Sequence, residues 1–186
     1  MTKTAMFQDL PETQRERIIE SYCTDVDLSF VRDLIQETCA TLFGTAEHEI
    51  PVYYAVEGSN DYVAFEGSFQ YYKGAVKKLK EEFPTSTEFH RVLTEWQKLQ
   101  QKHFYKLNGN TRSGRSYMHV DTYKRNDALG RDEWVSLETE KEMSNILHDL
   151  ANVFLTWLRE EYAHQTSRES IIEMLTDQEF LIEHEE

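Results

Sequence analysis

Ile50-Pro51-Val52-Tyr53-Tyr54-Ala55-Val56-Glu57-Gly58-Ser59-Asn60-Asp61-Tyr62-Val63-Ala64-Phe65-Glu66-Gly67-Ser68-Phe69 is the stretch that separates an all-helical chain from a mixed one. Its hydrophobic period is two. Val52, Tyr54 and Val56 fall on one face and Tyr53, Ala55 and Glu57 on the other, and Val63, Phe65, Gly67 and Phe69 alternate in the same way. That period belongs to strands, and Gly58-Ser59-Asn60-Asp61 between the two runs holds residues that tolerate positive φ or make local side-chain turns. The stretch therefore predicts a β-hairpin.

On either side the period returns to that of a helix. Upstream, one helix starts near Asp9, with Pro11 and Glu12 in its opening turn, and runs through Ile18, Ile19 and Tyr22. A second carries Leu28, Val31, Leu34, Ile35, Thr38 and Leu42 and stops at Gly44. Downstream, Lys73 to Phe83 reads as a helix ending at Pro84, and Thr85 with Glu88 forms a capping box for the next. The stripe of that next helix is Phe89, Val92, Leu93, Trp96, Leu99, Phe104 and Leu107, with a stop at Asn108-Gly109. Asn108 to Arg115 reads as a polar loop, and Ser116 to Tyr123 alternates as a third strand, at an edge or half-solvated. Ser136 then caps a long helix whose broad apolar face runs from Met143 to Tyr162, the expected core helix. Thr166 and Glu169 open a terminal helix carrying Ile171, Ile172, Leu175 and Phe180, and the acidic tail 183–186 is expected to fray. The sum is an α+β fold, mainly helical, with a small antiparallel sheet, hairpin plus third strand, inserted in the middle.

The 186 residues fit one domain, 1–186, at about 100–200 residues per domain. With 39% hydrophobic residues, enough apolar surface exists to offset chain entropy despite a net charge of −14, so a folded chain is expected. The densest apolar stretch, Ala151 to Leu158, is far shorter than the roughly 20 residues a bilayer span requires. The first residues lack the apolar core of a secretory signal, which points to the cytoplasm. Cys23 and Cys39 are too few for a disulfide framework or a cysteine zinc site and are expected to be reduced and structural. The charge is segregated: residues 1–66 hold 13 acids and 4 bases, residues 67–126 hold 5 and 12, and residues 127–186 hold 16 and 4. A basic middle is flanked by acidic ends.

No phosphate-binding glycine loop, dinucleotide fingerprint, nucleophile elbow or His-Glu-x-x-His helix can be read, so the chain is expected to be neither an enzyme nor a cofactor or metal binder. His119 and Asp121 would share a strand face, yet a third ligand or catalytic partner is not identifiable from the sequence. His148 and Asp149, adjacent on a helix, do not face each other. An interaction surface is the better expectation. Its candidate residues are Tyr53 and Tyr62 on the hairpin, and Lys73, Lys77, Lys78, Lys80, Arg112 and Arg115 in the basic middle. Glu138, Glu142, Glu169 and Glu173 on the last two helices complete the set. Aromatics beside lysines could hold single-stranded nucleic acid, but the acidic flanks oppose an approaching phosphate and disfavour direct binding. The carboxylates could instead imitate DNA. The two signs could also pair within the chain or across a symmetric dimer.

Four blocks suggest relatives: Asp61-Tyr62-Val63-Ala64-Phe65-Glu66-Gly67, Tyr72-Lys73-Gly74, His103-Phe104-Tyr105-Lys106-Leu107 and Glu160-Glu161-Tyr162-Ala163-His164-Gln165-Thr166-Ser167. Over about residues 15 to 182 the chain resembles a group of small phage and prophage proteins, some carrying the label antitoxin of a toxin–antitoxin stability system. Where those proteins favour Ser-Gln-Gly-Asp in the hairpin turn, this chain has Asn60 in the glycine's place, the next most tolerant residue for a left-handed conformation. The resemblance implies a phage-related accessory protein in the bacterial cytoplasm that binds a host, defence or toxin protein, and it transfers no catalytic residue.

Overall fold

A computed structural model describes residues 3–22, 26–56, 58, 60–114, 117–126, 131–177 and 181–184. Cys23, Glu57, Ser59, Arg115, Ser116, Glu179, Phe180 and the end of the acidic tail, Glu185-Glu186, lie outside them. In chain order the elements begin with β1 (Lys3–Met6), α1 (Glu12–Ser21) and α2 (Ser29–Phe43). β2 (Val52–Ala55), β3 (Tyr62–Phe65) and β4 (Gly67–Gln70) follow, then α3 (Ala75–Glu82) and α4 (Thr87–Lys102). Next come β5 (Leu107–Ser113), β6 (Met118–Asn126) and β7 (Arg131–Trp134). The chain closes with α5 (Leu137–Gln165), α6 (Arg168–Asp177) and β8 (Leu181–His184). The fold is α+β and mainly helical, and all its strand pairs are antiparallel. Among the described residues no helix is long and apolar enough to cross a membrane.

These elements form two compact units, residues 29–158 and residues 1–28 with 159–186. In the larger unit β2 pairs with β3 from Val52↔Phe65 to Ala55↔Tyr62, the hairpin the alternation predicts. The second run of that alternation is nevertheless two strands. Gly67 has φ 144°, and a Cβ there would stand 2.5 Å from Ile50 Cδ1 and 2.9 Å from the Glu49 carbonyl, so the chain breaks at a position only glycine fits. Beyond it β4 joins a separate four-stranded sheet of order β4-β5-β6-β7.

β5 occupies the segment read as a polar loop, and α4 ends at Lys102, short of the expected Asn108-Gly109 stop. Its sequence, Leu-Asn-Gly-Asn-Thr-Arg-Ser, alternates Leu107, Gly109 and Thr111 into the core with Asn108, Asn110 and Arg112 outward. Gly109 is needed for space: a Cβ would lie 1.9 Å from the Asp121 carbonyl and 2.5 Å from the Phe69 ring. β6 is paired on both sides, so it is an interior strand and not an edge.

The core beneath is aromatic. Phe43 meets Trp96 at 5.6 Å between ring centroids, Phe69 meets Trp96 at 5.7 Å, Phe65 meets Phe154 at 6.0 Å and Phe83 stacks on Trp157 at 5.0 Å. α5 supplies Met143, Leu147, Leu150, Phe154 and Leu158 to it, as its 3.6-residue period predicts. Its first turn is capped by the hydroxyl of Ser136, which accepts from the Thr139 amide at 3.3 Å. At α4, by contrast, Ser86 takes the N-cap position without a side-chain bond, and Glu88 turns to Arg91 instead of completing a box.

In the smaller unit Phe7, Ile19, Ile171 and Leu175 form a buried cluster joined by Ile18, Tyr22 and Ile172. Arg168 grips Glu16 through two bonds, 2.8 and 2.5 Å, and holds its carboxyl below the usual range. The cap of α6 is Ser167, whose hydroxyl accepts from the Ser170 amide at 3.2 Å, whereas Thr166 donates to the Tyr162 carbonyl. α6 stops at Asp177, and β8 pairs with β1 from Lys3↔His184 to Met6↔Leu181, so Glu183 and His184 lie in a strand where fraying was expected.

Candidate functional site

The most unusual backbone in the described residues is the end of α4. His103 is the C-cap, and Phe104 and Tyr105 follow with φ 55° and 59°. The Phe104 amide donates to the Gln101 carbonyl at 3.0 Å and the Tyr105 amide to the Gln100 carbonyl at 2.7 Å. This pair of bonds is a Schellman motif, and Phe104 stands where glycine is usual. A left-handed conformation costs a residue with a Cβ roughly 1–2 kcal/mol. The wholly buried Gln100 pins the motif, donating from Nε2 to the Leu107 carbonyl at 2.9 Å.

The strained cap does not bury Phe104, which remains 77% exposed. The Tyr105 ring packs at a tilt against Tyr71, just beyond β4, with 4.3 Å between ring centroids. From there one register row, Gln70–Asn108–Tyr123–Trp134, crosses all four strands on the outward face. Trp134 is 74% exposed and meets Tyr123 edge to face at 5.2 Å, while Asn110 donates to the Tyr123 hydroxyl. Leu137, at the start of α5, is 81% exposed. The first turn of α5 reaches the cap through Thr139, whose hydroxyl lies 3.5 Å from His103 Nε2. Partial burial, aided by the neighbouring Lys102 and Lys124, lowers the pKa of His103, and Glu142 acts in the opposite sense. One end of the sheet thus presents Phe104, Tyr105, Trp134 and Leu137 to solvent.

The residues expected from the sequence lie elsewhere or are engaged. Tyr53 and Tyr62 share one face of the hairpin, since Tyr53 opposes Ala64 and Tyr62 opposes Ala55. Lys77 sits 3.8 Å from Glu81, Lys78 Nζ donates to Thr41 Oγ1 at 3.5 Å and Lys80 Nζ to Thr94 Oγ1 at 2.7 Å. Lys73 and Lys78 border an open cleft of about 980 Å³, yet Glu37, Glu47 and His48 line it too, so its charges offset instead of building a phosphate-attracting field. Arg112 pairs with Asp121 at 2.5 Å and Glu142 with Lys102 at 3.1 Å. Glu138 is exposed at the start of α5, and Glu169 and Glu173 are exposed on α6, in the other unit.

Arg91 binds Glu88, Glu95 and Asp149, at 2.6, 2.8 and 2.8 Å. With Lys102–Glu142 this joins the basic middle to the acidic last third inside the chain, one of the arrangements the charge map allows. Asp121 and Asp149 are therefore spent on arginines, and His148 Nδ1 contacts the Ser144 carbonyl at 2.7 Å. Among the described residues no group of three or more His, Cys, Asp or Glu is placed to hold a metal ion. Cys39 is buried, and burial pushes its thiol pKa well up, so the reactive thiolate is suppressed.

Sequence reasoning placed Phe104 on the buried stripe of α4 and passed over Tyr105, Trp134 and Leu137 as contact residues. The available signal was the lack of glycine between Lys102 and Leu107, where α4 had to end against a strand.

Fold and surface together define an α+β chain that displays aromatics at one end of a half-covered antiparallel sheet. The chain belongs to a family described as a domain of unknown function, DUF8835, whose model matches residues 57–168, more than half of its length. That span contains the whole aromatic end. No curated protein and no solved structure matches the chain.

Proposed function

We propose that this is a non-enzymatic accessory protein of phage or prophage type that acts in the bacterial cytoplasm by protein–protein contact, as an antitoxin-like protein or an inhibitor of a host defence system. The observation that carries protein contact is the exposed aromatic end of the sheet, with Phe104 held outward on a strained cap. Monomeric proteins rarely leave such side chains grouped in water, and tryptophan and tyrosine dominate the energetics of protein interfaces. The phage and antitoxin part rests on the resemblance of the four sequence blocks.

The alternative of a DNA mimic draws less support, because Asp149 and Glu142 of α5 are paired with Arg91 and Lys102 and so offer less phosphate-like charge. Affinity capture from bacterial lysate at physiological salt tests the proposal. The expected result is a retained host or toxin protein with no affinity for DNA. Retention of nothing by the folded chain overturns it, and a partner displaced by duplex DNA favours mimicry instead.

A further inference from the structure

Asn108-Gly109 is the only Asn-Gly pair in the chain. In an unfolded segment the side-chain carbonyl carbon of such an Asn meets the amide nitrogen of the next residue, and glycine offers no Cβ to hinder the approach. The fold closes this pair. β5 is an interior strand, with Asn108 between Gln70 of β4 and Tyr123 of β6, and Gly109 between Phe69 and Thr122. There the Gly109 amide is held in a ladder bond and the Asn108 backbone is held extended, and ring closure requires the release of both. Space is lacking too, since Gly109 is buried with the Asp121 carbonyl and the Phe69 ring against it. The entrance to the strand is its irregular part. The left-handed residues Phe104 and Tyr105 precede it, and it is tied by bonds from Gln100 Nε2 to the Leu107 carbonyl and from the Arg125 amide to the Lys106 carbonyl, each 2.9 Å.

We propose that Asn108 is a covalent modification site gated by the fold: it converts to isoaspartate when β5 opens, and the conversion bars the chain from folding again. The only co-reactant is water. The Gly109 nitrogen gives up its proton to solvent and bonds to Asn108 Cγ, the Cγ–Nδ2 bond breaks, and the departing NH2 group takes a proton and leaves as ammonia. Water then opens the cyclic imide at either carbonyl, leaving an aspartyl or an isoaspartyl residue at position 108. In the isoaspartyl form the main chain runs through the former side chain and is longer by one methylene, with a carboxylate beside it. Along β5 the inward positions Leu107, Gly109 and Thr111 stay in step with β4 and β6, and an added backbone atom at 108 puts Gly109 and Thr111 out of register. The row that ends at Tyr123 and Trp134 crosses β5 at the same residue, so the modification removes the aromatic end together with the sheet.

Incubation of the full chain at mildly alkaline pH, in native buffer and in urea, tests this, with conversion read by peptide mass spectrometry and isoaspartate labelling. In native buffer Asn108 is expected to convert about tenfold or more slowly than in urea, and the slowing is expected to match the exchange protection of the Gly109 amide, since both reactions need β5 open. The isoaspartyl chain, separated after urea treatment and returned to native buffer, is expected to lack native tryptophan fluorescence and circular dichroism. Asn108→Asp, which carries the charge without the added methylene, is expected to fold. Equal rates in the two buffers overturn the gating, as does conversion in native buffer that outruns Gly109 exchange. An isoaspartyl chain that refolds overturns the barrier to folding. An Asn108→Asp chain that fails to fold assigns the effect to charge and overturns the register argument.

Discussion

At Phe104 a bulky side chain occupies a glycine position of the Schellman motif and remains outside the core, so local stability and surface chemistry pull against each other. Phe104→Gly is expected to raise the stability of the chain by about 1 kcal/mol, measured by urea unfolding, because glycine adopts the left-handed region without the Cβ penalty. A loss of stability on that change would mean that the ring is held by packing. Beside it, the pKa of His103 is lowered below its ordinary value of 6.5, so the folded state prefers the neutral ring. The sign follows from linkage: the stabilisation is fully present above about pH 6.5 and is lost as pH falls through the lowered folded value, because the unfolded chain takes up the proton first. Wild type should therefore lose more stability than His103→Gln between pH 7.5 and pH 5.5. Equal losses in the two chains would show that another group carries the acid sensitivity.

At the scale of elements, hydrophobic period served well wherever side chains set the structure. The β2–β3 hairpin, the cap of α5 at Ser136 and the core face of α5 were all legible, since each is written in apolar spacing or a capping hydroxyl. β5 was not, because its inward positions are Leu107, Gly109 and Thr111 and its outward ones Asn108, Asn110 and Arg112, a pattern that reads as a loop by composition. What makes it a strand is tertiary: the Asp121 carbonyl and the Phe69 ring close on Gly109 from either side. Gly109→Ala is thus expected to destabilise the chain by about 3 kcal/mol or more, through overpacking and backbone displacement. A change below 1 kcal/mol would show that β5 and β6 separate easily. The aromatic end escaped the sequence for the same reason, since Tyr71, Tyr105, Tyr123 and Trp134 are brought to one end only by the β4-β5-β6-β7 pairing.

For the molecule as a whole, the segregation of charge seen in the sequence becomes two cross-links in space, Arg91 to Asp149 and Lys102 to Glu142. Exposed pairs of this kind contribute little stability singly, about 0–1 kcal/mol, and lose strength with salt. Their larger effect is on recognition, because each sets a positive charge against a negative one at the surface and so offsets the field that a nucleic acid or a nucleic-acid-binding protein would meet there. All three tryptophans lie in residues 29–158, so tryptophan fluorescence reports that unit alone, whereas far-ultraviolet circular dichroism reports every helix. Coincident thermal transitions by both probes are expected, and a separate dichroism step would show two independently melting units.

Amide hydrogen exchange across the chain, compared between dilute protein and protein saturated with its associating partner, measures the central claim directly. The account predicts slowed exchange at residues 104–106 and 133–137, where Phe104, Trp134 and Leu137 would be covered. Slowed exchange confined to α3 and its lysines, or to the acidic face of α6, with the aromatic end unchanged, would contradict it.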